Sequence, residues 1–224
     1  MHPSTLPDDL QAHLIARHGR LHRFAPLPPA RCALVVIDMQ HVFCAKGALL
    51  EVPMARAIVP AIDRMARAMR AAGGAVAWVR SAFPPSQRDW HVMFDAVMPP
   101  DFGARIRDSL QHGRPEHALF DGLTPEPEDI EVEKDRFSAF LPGACPLPAM
   151  LRARGIDTVL IAGTMTNVCC ESSARDAMME NFRVILLSDA NAARSDAEHM
   201  GSLITIARSF GDVQQVDEAI GYLS

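Results

Sequence analysis

The segment ALVVIDMQ at residues 33–40 decides the fold class. Its first five residues are apolar and mostly β-branched, which is typical of a parallel strand buried on both faces. Working outward along the chain, we predict five further strands, at residues 75–79, 129–133, 158–162, 183–187 and 213–216. Helical patterns separate them, at residues 57–72, 101–111 (in part), 147–154, 167–181 and 196–208. This alternation predicts a three-layer α/β/α protein with a six-stranded parallel, Rossmann-like sheet.

The composition excludes several classes of protein. Hydrophobic residues make up 49% and charged residues 22% of the 224 residues, as in ordinary globular proteins. The formal net charge of −5 gives no reason to expect a nucleic-acid partner. No apolar run approaches the length of a membrane span, and residues 1–29 lack the apolar core of a signal peptide. We therefore expect a cytoplasmic protein that binds neither nucleic acid nor membranes.

Two parts of the chain stand apart from the strand–helix pattern. Residues 1–30 are predicted to form an N-terminal arm with a Pro-rich linker, ahead of a domain at residues 31–224. Residues 81–127 are rich in aromatics and prolines and show little clear period. A long irregular segment at the edge of a sheet is typical of a pocket wall.

Three strand ends carry residues suited to catalysis. Asp38 directly follows the first strand, Lys134 follows the third, and Cys169 lies in the Gly/Thr/Asn turn after the fourth. The carboxyl ends of parallel strands share one edge of the sheet, where active sites of such folds lie. Taken singly, Asp38 is also typical of a helix cap, Lys134 of a solvated surface residue, and Cys169 of a buried inert thiol. Together they predict a cysteine nucleophile with an acid–base partner.

The position of Cys169 favours ionisation of its thiol. The segment GTMTNVCC at residues 163–170 opens a helix, whose N-terminal end lowers the pKa of a thiol. A nearby ammonium acts in the same direction, so we expect a thiolate at Cys169. Cys170 lies about 100° further round the helix and is predicted to point into packing.

These motifs resemble those of the isochorismatase-like cysteine hydrolases. The resemblance rests on ALVVIDMQ with Phe43, on EK at residues 133–134 with FSAF at 137–140, and on GTMTNVC at 163–169 with ESSARDA at 171–177. The motifs occur in the family's order and extend from about residue 33 to the C-terminus. The family includes ureidoacrylate amidohydrolases, N-carbamoylsarcosine amidases, biuret hydrolases and nicotinamidases.

The resemblance implies a catalytic triad. Asp38 corresponds to the proton carrier, Lys134 to the cation that stabilises the thiolate, and Cys169 to the nucleophile that forms an acyl-enzyme. It also implies an oxyanion hole made by the backbone N–H groups of Met165 and Cys169, and a cis peptide bond between Thr164 and Met165. The expected reaction is hydrolysis of a small amide, carbamoyl or ureido compound.

The resemblance further suggests residues that contact the substrate. The candidates are Phe43, Trp90, Phe137 and Asn167, although aromatic residues are equally typical of ordinary core packing. Gln40 is expected to support the turn after the first strand.

Departures from the family pattern narrow the range of activities that the resemblance implies. Nicotinamidases carry an Asp-x-His pair as part of a metal site, and residues 48–53 contain no such pair. His91, His112 and His117 are scattered and more typical of surface or loop residues. We therefore expect no metal and no cofactor.

Other readings remain open at this stage. An isochorismatase-type vinyl-ether hydrolase would need Asp38 and Lys134 but not the thiol. A non-catalytic scaffold would have an inert Cys169, and a redox role for Cys169 with Cys170 conflicts with disulfide geometry. By the resemblance we also expect a homodimer or homotetramer, in which the arm before Pro26 is a candidate for wrapping a neighbouring subunit.

Overall fold

Six parallel strands form the central sheet of the protein, whose computed structural model describes residues 1–83 and 90–224. They are β1 (Cys32–Ile37), β2 (Ala75–Ser81), β3 (Ile130–Lys134), β4 (Thr158–Thr164), β5 (Arg183–Ala192) and β6 (Asp212–Gln214). Their order across the sheet is β3-β2-β1-β4-β5-β6, and every neighbouring pair is parallel. The predicted fold class and all six predicted strands are confirmed. The last strand ends at Gln214, two residues earlier than predicted.

Helices cover both faces of this sheet. The described helices are α1 (Asp8–His18), α2 (His41–Cys44), α3 (Ala55–Ala71), α4 (Pro100–Ser109), α5 (Leu147–Ala153), α6 (Glu171–Met179), α7 (Asp196–Thr205) and α8 (Val216–Tyr222). Short 3₁₀ turns occur at Pro29–Arg31 and Pro115–His117, and π-helical turns at Val92–Val97, Thr166–Cys170 and Ile206–Phe210. The sequence pattern did not predict α2 or α8, since a helix of one or two turns shows almost no 3.6-residue period.

The core is divided between the two faces of the sheet. All six residues of β1 are buried, because alternate side chains enter the two faces. Val35 and Ile37 pack with residues of α5, α6 and α7, whereas Leu34 and Val36 pack with residues of α3 and α8. The fully apolar run that suggested a buried parallel strand is therefore explained by helices on both sides.

The N-terminal residues pack against this same core. Leu6, Leu10 and Leu14 are buried in the hydrophobic cluster that contains alternate residues of β1 and β4. The His2 ring stacks on the His199 ring of α7, with centroids 4.7 Å apart. Within the described residues, every helix is too short or too polar to cross a lipid bilayer. The predicted oligomer and the role of the arm in it stay predictions.

Candidate active site

An acidic and a basic side chain meet inside the protein at the carboxyl edge of the sheet. Lys134 Nζ donates hydrogen bonds to Asp38 Oδ2 (2.8 Å), to Ser81 Oγ (2.8 Å) and to the Arg136 carbonyl (3.1 Å). Ser81 Oγ in turn donates to Asp38 Oδ1 at 2.9 Å. The side chains of Asp38 and Lys134 are fully buried. Each ammonium proton thus has an acceptor, as a buried charge requires.

The ends of three strands position this network. Asp38 follows β1 and has a left-handed backbone with φ of 55°, which is uncommon for a residue other than glycine and occurs at functional sites. Its N–H donates to the Val79 carbonyl of β2 at 2.9 Å. Ser81 and Lys134 are the paired last residues of β2 and β3. The register of the sheet therefore brings the hydroxyl and the ammonium to the carboxylate.

Cys169 lies against this pair. It is buried in the π-helical turn Thr166–Cys170 that leads into α6, and its thiol interacts with both the Asp38 carboxylate and the Lys134 ammonium. Burial and the Asp38 charge raise the pKa of Cys169 above its usual value, and the opposing effect of Lys134 is weaker. Burial and Asp38 thus act against the Lys134 ammonium at this thiol, and the predicted thiolate stays a prediction.

Lys134 stays cationic despite its burial. Burial alone would lower the pKa of the amine, but Asp38 and Cys169 together outweigh it and raise the pKa above its ordinary value. The site thus contains the Lys134 ammonium hydrogen-bonded to the Asp38 carboxylate, next to the sulfur of Cys169. In this arrangement the carboxylate is the group able to accept the thiol proton.

The turn that carries Cys169 is shaped by its first residues. Gly163 has φ of 121°, and a Cβ at this position would lie 2.0 Å from the Ile37 carbonyl of β1, so only glycine fits. The peptide bond between Thr164 and Met165 is cis, as the resemblance implies. The N–H groups of Val168 and Cys170 both donate to the Met165 carbonyl, at 3.1 and 3.2 Å. The backbone is thereby wound tightly between Met165 and the cysteines.

The two adjacent cysteines differ in what they face. Cys169 lines a cavity, whereas Cys170 is fully buried and its sulfur lies 4.0 Å from the Ala162 carbonyl. Burial raises the pKa of Cys170 well above its usual value. The chain therefore directs one thiol to the cavity and the other into packing.

The cavity in front of Cys169 has a volume of about 300 Å³ and is mainly apolar. Among the residues with described positions, those lining it are Phe43, Leu50, Ser81, Phe83, Met93, Phe94, Met98, Ile106, Leu110, Phe137, Met165, Val168, Cys169 and Arg194. Arg194, which follows β5, is the only charged residue of this set, and it is exposed to solvent. The cavity thus offers a small apolar space with the thiol on one side and a guanidinium on another.

Of the four predicted substrate contacts, the structure brings two into the cavity. Phe43 and Phe137 line it. Trp90 instead packs edge-on against Phe137, with ring centroids 4.8 Å apart, and is absent from the lining set given above. Asn167 is also absent from that set, although it lies in the same turn as Cys169. The roles of all four residues as substrate contacts stay predictions.

Sequence reasoning missed two polar residues of the site and placed a third. Ser81 and Arg194 were not predicted, although each follows or ends a strand. Gln40 supports the turn after β1 as expected: its amide accepts from the Ser81 N–H at 2.8 Å and donates to the Ser81 and His117 carbonyls. The predicted strands end too early to identify them, because β2 extends to Ser81 and β5 extends to Ala192, two residues before Arg194.

Potential metal ligands lie away from the cavity. Within residues 1–83 and 90–224, three potential ligands converge in one place only, formed by His112, His117 and Glu133. The prediction that the histidines are scattered is wrong for His112 and His117, whose ring centroids are 5.4 Å apart. His117 is also buried and not at the surface.

Comparisons with known proteins identify the family of this chain. The family model described as the isochorismatase domain matches residues 32–218. The ureidoacrylate amidohydrolase RutB of Methylorubrum extorquens is 37% identical over 200 residues, which cover 82% of this chain and 79% of that protein. The crystal structure of a cysteine hydrolase from Pseudomonas syringae pv. phaseolicola is 34% identical with a TM-score of 0.81, covering 88% of this chain and 94% of that one. N-carbamoylsarcosine amidase from Thermoplasma acidophilum is 28% identical with a TM-score of 0.68, covering 84% and 97% of the two chains.

The fold and the cluster of Asp38, Lys134 and Cys169 define a three-layer α/β protein with a buried cysteine at the edge of its sheet. The chain belongs to the isochorismatase family. It is a hydrolase that acts on C–N bonds other than peptide bonds.

Proposed function

We propose that the protein hydrolyses the ureido or carbamoyl group of a small carboxylic acid through an acyl-enzyme on Cys169. The observation that carries this proposal is the buried Asp38–Lys134 pair in contact with Cys169, which itself faces a cavity of about 300 Å³. A thiol, a base and a fixed cation at one point are the parts that covalent acyl transfer needs.

The first half of the reaction forms the acyl-enzyme. The Cys169 sulfur attacks the substrate carbonyl while its proton passes to the Asp38 carboxylate. The N–H groups of Met165 and Cys169 are the proposed donors to the oxyanion. Asp38 then gives the proton to the nitrogen of the leaving amine or ammonia, the C–N bond breaks, and the acyl group remains on sulfur.

The second half restores the thiol. A water molecule attacks the acyl-sulfur carbonyl while Asp38 takes one of its protons, and the C–S bond breaks. That proton returns to the sulfur, and the acid is released. Lys134 keeps its proton throughout and stabilises each anionic state of its neighbours. Because burial raises the pKa of Cys169, proton transfer to Asp38 accompanies attack instead of preceding it.

The charge in the cavity suggests the class of substrate. Arg194 is the single charged residue among the described lining residues, and a guanidinium pairs well with a carboxylate. The relatives named for ureidoacrylate and N-carbamoylsarcosine act on compounds that combine a urea group with a carboxylate. The apolar lining suits a short carbon skeleton between these two groups.

Ammonia or amine release from a panel of ureido and N-carbamoyl acids tests the nucleophile. We expect Cys169→Ala to lower kcat/KM by at least about 10³-fold. Cys170→Ala is the matched control, since it removes the adjacent thiol without touching the cavity, and it should stay within several-fold of the parent. Full activity in Cys169→Ala would refute the acyl-enzyme.

A paired assay tests the carboxylate. We expect Arg194→Gln to lower kcat/KM for a ureido acid by about 10–100-fold, mostly through KM, because a charge-assisted hydrogen bond is lost. The corresponding primary amide of the same acid should be hydrolysed equally by both proteins. An equal loss on both compounds would show that Arg194 supports the fold of the site and does not recognise the carboxylate.

A further inference from the structure

Two histidines and a glutamate converge on the face of the sheet opposite the catalytic lysine. Glu133 precedes Lys134 in β3, so their side chains point to opposite faces. Glu133 Oε1 lies 3.1 Å from His117 Nε2, and Glu133 Oε2 lies 3.3 Å from His112 Nε2. The candidate ligand atoms of the three residues all lie within 4.8 Å of one another.

These distances suit a transition-metal ion. Zinc bound tetrahedrally at about 2.0–2.1 Å from nitrogen and oxygen ligands holds neighbouring ligand atoms about 3.3 Å apart. Both nitrogen–oxygen distances are close to that value.

The burial of His117 also favours a bound metal ion. The residue is 6% exposed, and its Nε2 has no hydrogen bond of acceptable geometry despite its closeness to Glu133. An unsatisfied buried nitrogen costs free energy unless something binds it. Nε2 is the ring nitrogen that is directed at the cluster.

One positive charge opposes a metal at this place. Arg80 is paired with Glu133 across β2 and β3, and it contributes a charge near His117. Its guanidinium is engaged by Glu131, with Nη2 and Oε2 3.1 Å apart. The carboxylate of Glu133 therefore stays available to the two histidines.

We propose that His112, His117 and Glu133 bind one zinc-class divalent ion, with water in the fourth position. The ion would fasten the Pro115–His117 turn to β3. The carbonyl of His117 accepts the hydrogen bond from Gln40 Nε2 at 2.9 Å, and Gln40 also holds both backbone groups of Ser81. The ion thus stabilises the segment behind the active site and takes no part in the reaction, so the proposal does not depend on the proposed function.

Titration of the full-length, chelator-treated protein with Co²⁺ and Zn²⁺ tests this site. We expect one Co²⁺ per chain, with the visible d–d absorption of a four- or five-coordinate ion and no thiolate charge-transfer band. His112→Ala, which changes an exposed side chain, and Glu133→Gln should each weaken the affinity by at least about tenfold. His91→Ala is the matched control, because His91 Nδ1 also lies 2.9 Å from a carboxylate oxygen, that of Asp95, but His91 does not belong to the cluster of His112, His117 and Glu133.

A thermal shift provides a second readout. Saturating Zn²⁺ should raise the melting temperature of the parent protein and of His91→Ala, but not that of His112→Ala. The same titration of Cys169→Ala shows whether the thiol is involved, and we expect unchanged binding. Absence of one-to-one binding, unchanged affinity in His112→Ala and Glu133→Gln, or binding that disappears with Cys169 would each overturn the proposal.

Discussion

The two sides of the active-site cavity are built in different ways. The catalytic edge consists of Asp38, Ser81, Lys134 and Cys169, which are buried, polar or ionisable, and carried by strand ends and the turn after β4. The apolar wall consists of Met93, Phe94, Ile106 and Leu110, which come from the irregular segment between β2 and β3. The register of the sheet fixes the first side, and side-chain packing alone fixes the second.

This difference separates chemistry from selectivity. Groups on strand ends of a parallel sheet keep their positions when loops change, which suits the atoms that transfer protons. A wall on a connecting segment can change its shape without disturbing the sheet. Substitutions in the catalytic edge should therefore lower kcat and stability together, whereas substitutions in the apolar wall should act on KM.

The largest effect is expected from separating the buried ion pair. Lys134→Met leaves the Asp38 carboxylate buried without its cation, which costs about 3–5 kcal/mol of unfolding free energy. Activity should fall by at least about 10³-fold, because the buried cation next to Cys169 is lost. Denaturant unfolding and steady-state kinetics measure the two effects.

Two further variants decide whether burial of the pair is the cause. The double variant Asp38→Asn with Lys134→Met should regain much of the stability, because no unpaired charge remains, yet stay inactive. Arg64→Met removes one partner of an exposed pair, in which Nη2 lies 3.1 Å from Asp217, and should cost only about 0–1 kcal/mol. Equal costs for the buried and the exposed pair would contradict the contrast drawn between the two regions.

The sequence predicted the catalytic edge better than the apolar wall, for a physical reason. Asp38 and Cys169 come after apolar strands whose burial is evident from their pattern, and Lys134 follows the short strand predicted at residues 129–133. Their place at the sheet edge therefore followed from topology. Ser81 is the last residue of β2 but was not predicted, because the sequence pattern ends that strand at residue 79.

The sequence of the apolar wall shows no comparable pattern. Val92–Val97 is a π-helical turn and α4 is short, so neither shows a clear 3.6-residue period. The degree of burial of Cys169 was also not evident from the sequence. The helix end and Lys134 favour a thiolate, whereas burial and Asp38 raise the pKa of the thiol.

The alkylation rate of Cys169 is expected to rise about tenfold per pH unit. Only the thiolate reacts with iodoacetamide, and burial raises the pKa of this thiol above its ordinary value of 9.0. Its alkylation rate in the substrate-free protein, followed by peptide mapping, should rise about tenfold per pH unit without levelling off below pH 9.0. A free cysteine peptide is the control and should level off near its pKa of about 8.5. A plateau of the rate at neutral pH would instead support the thiolate predicted from the helix end.

The same shift has a consequence for stability. A thiol whose pKa is raised by folding binds its proton more tightly in the folded chain, so its contribution is present at low and neutral pH and declines above the unfolded value. Cys169→Ala should therefore lose less stability than the parent on going to alkaline pH.

The smallest effect is expected in the apolar wall. Ile106 is 3% exposed in α4 and lines the cavity, so Ile106→Val removes one methylene from the space that holds the substrate. We expect a loss of about 0.5–1.5 kcal/mol in stability and a change in KM of several-fold, with kcat nearly unchanged. Ile58→Val is the matched control, because Ile58 is equally buried but belongs to α3 and is not among the described lining residues. It should cost the same stability and leave KM unaltered. If the two variants had identical kinetics, the apolar wall would have no part in selectivity. The apolar wall and the catalytic edge would then differ only in their contributions to stability.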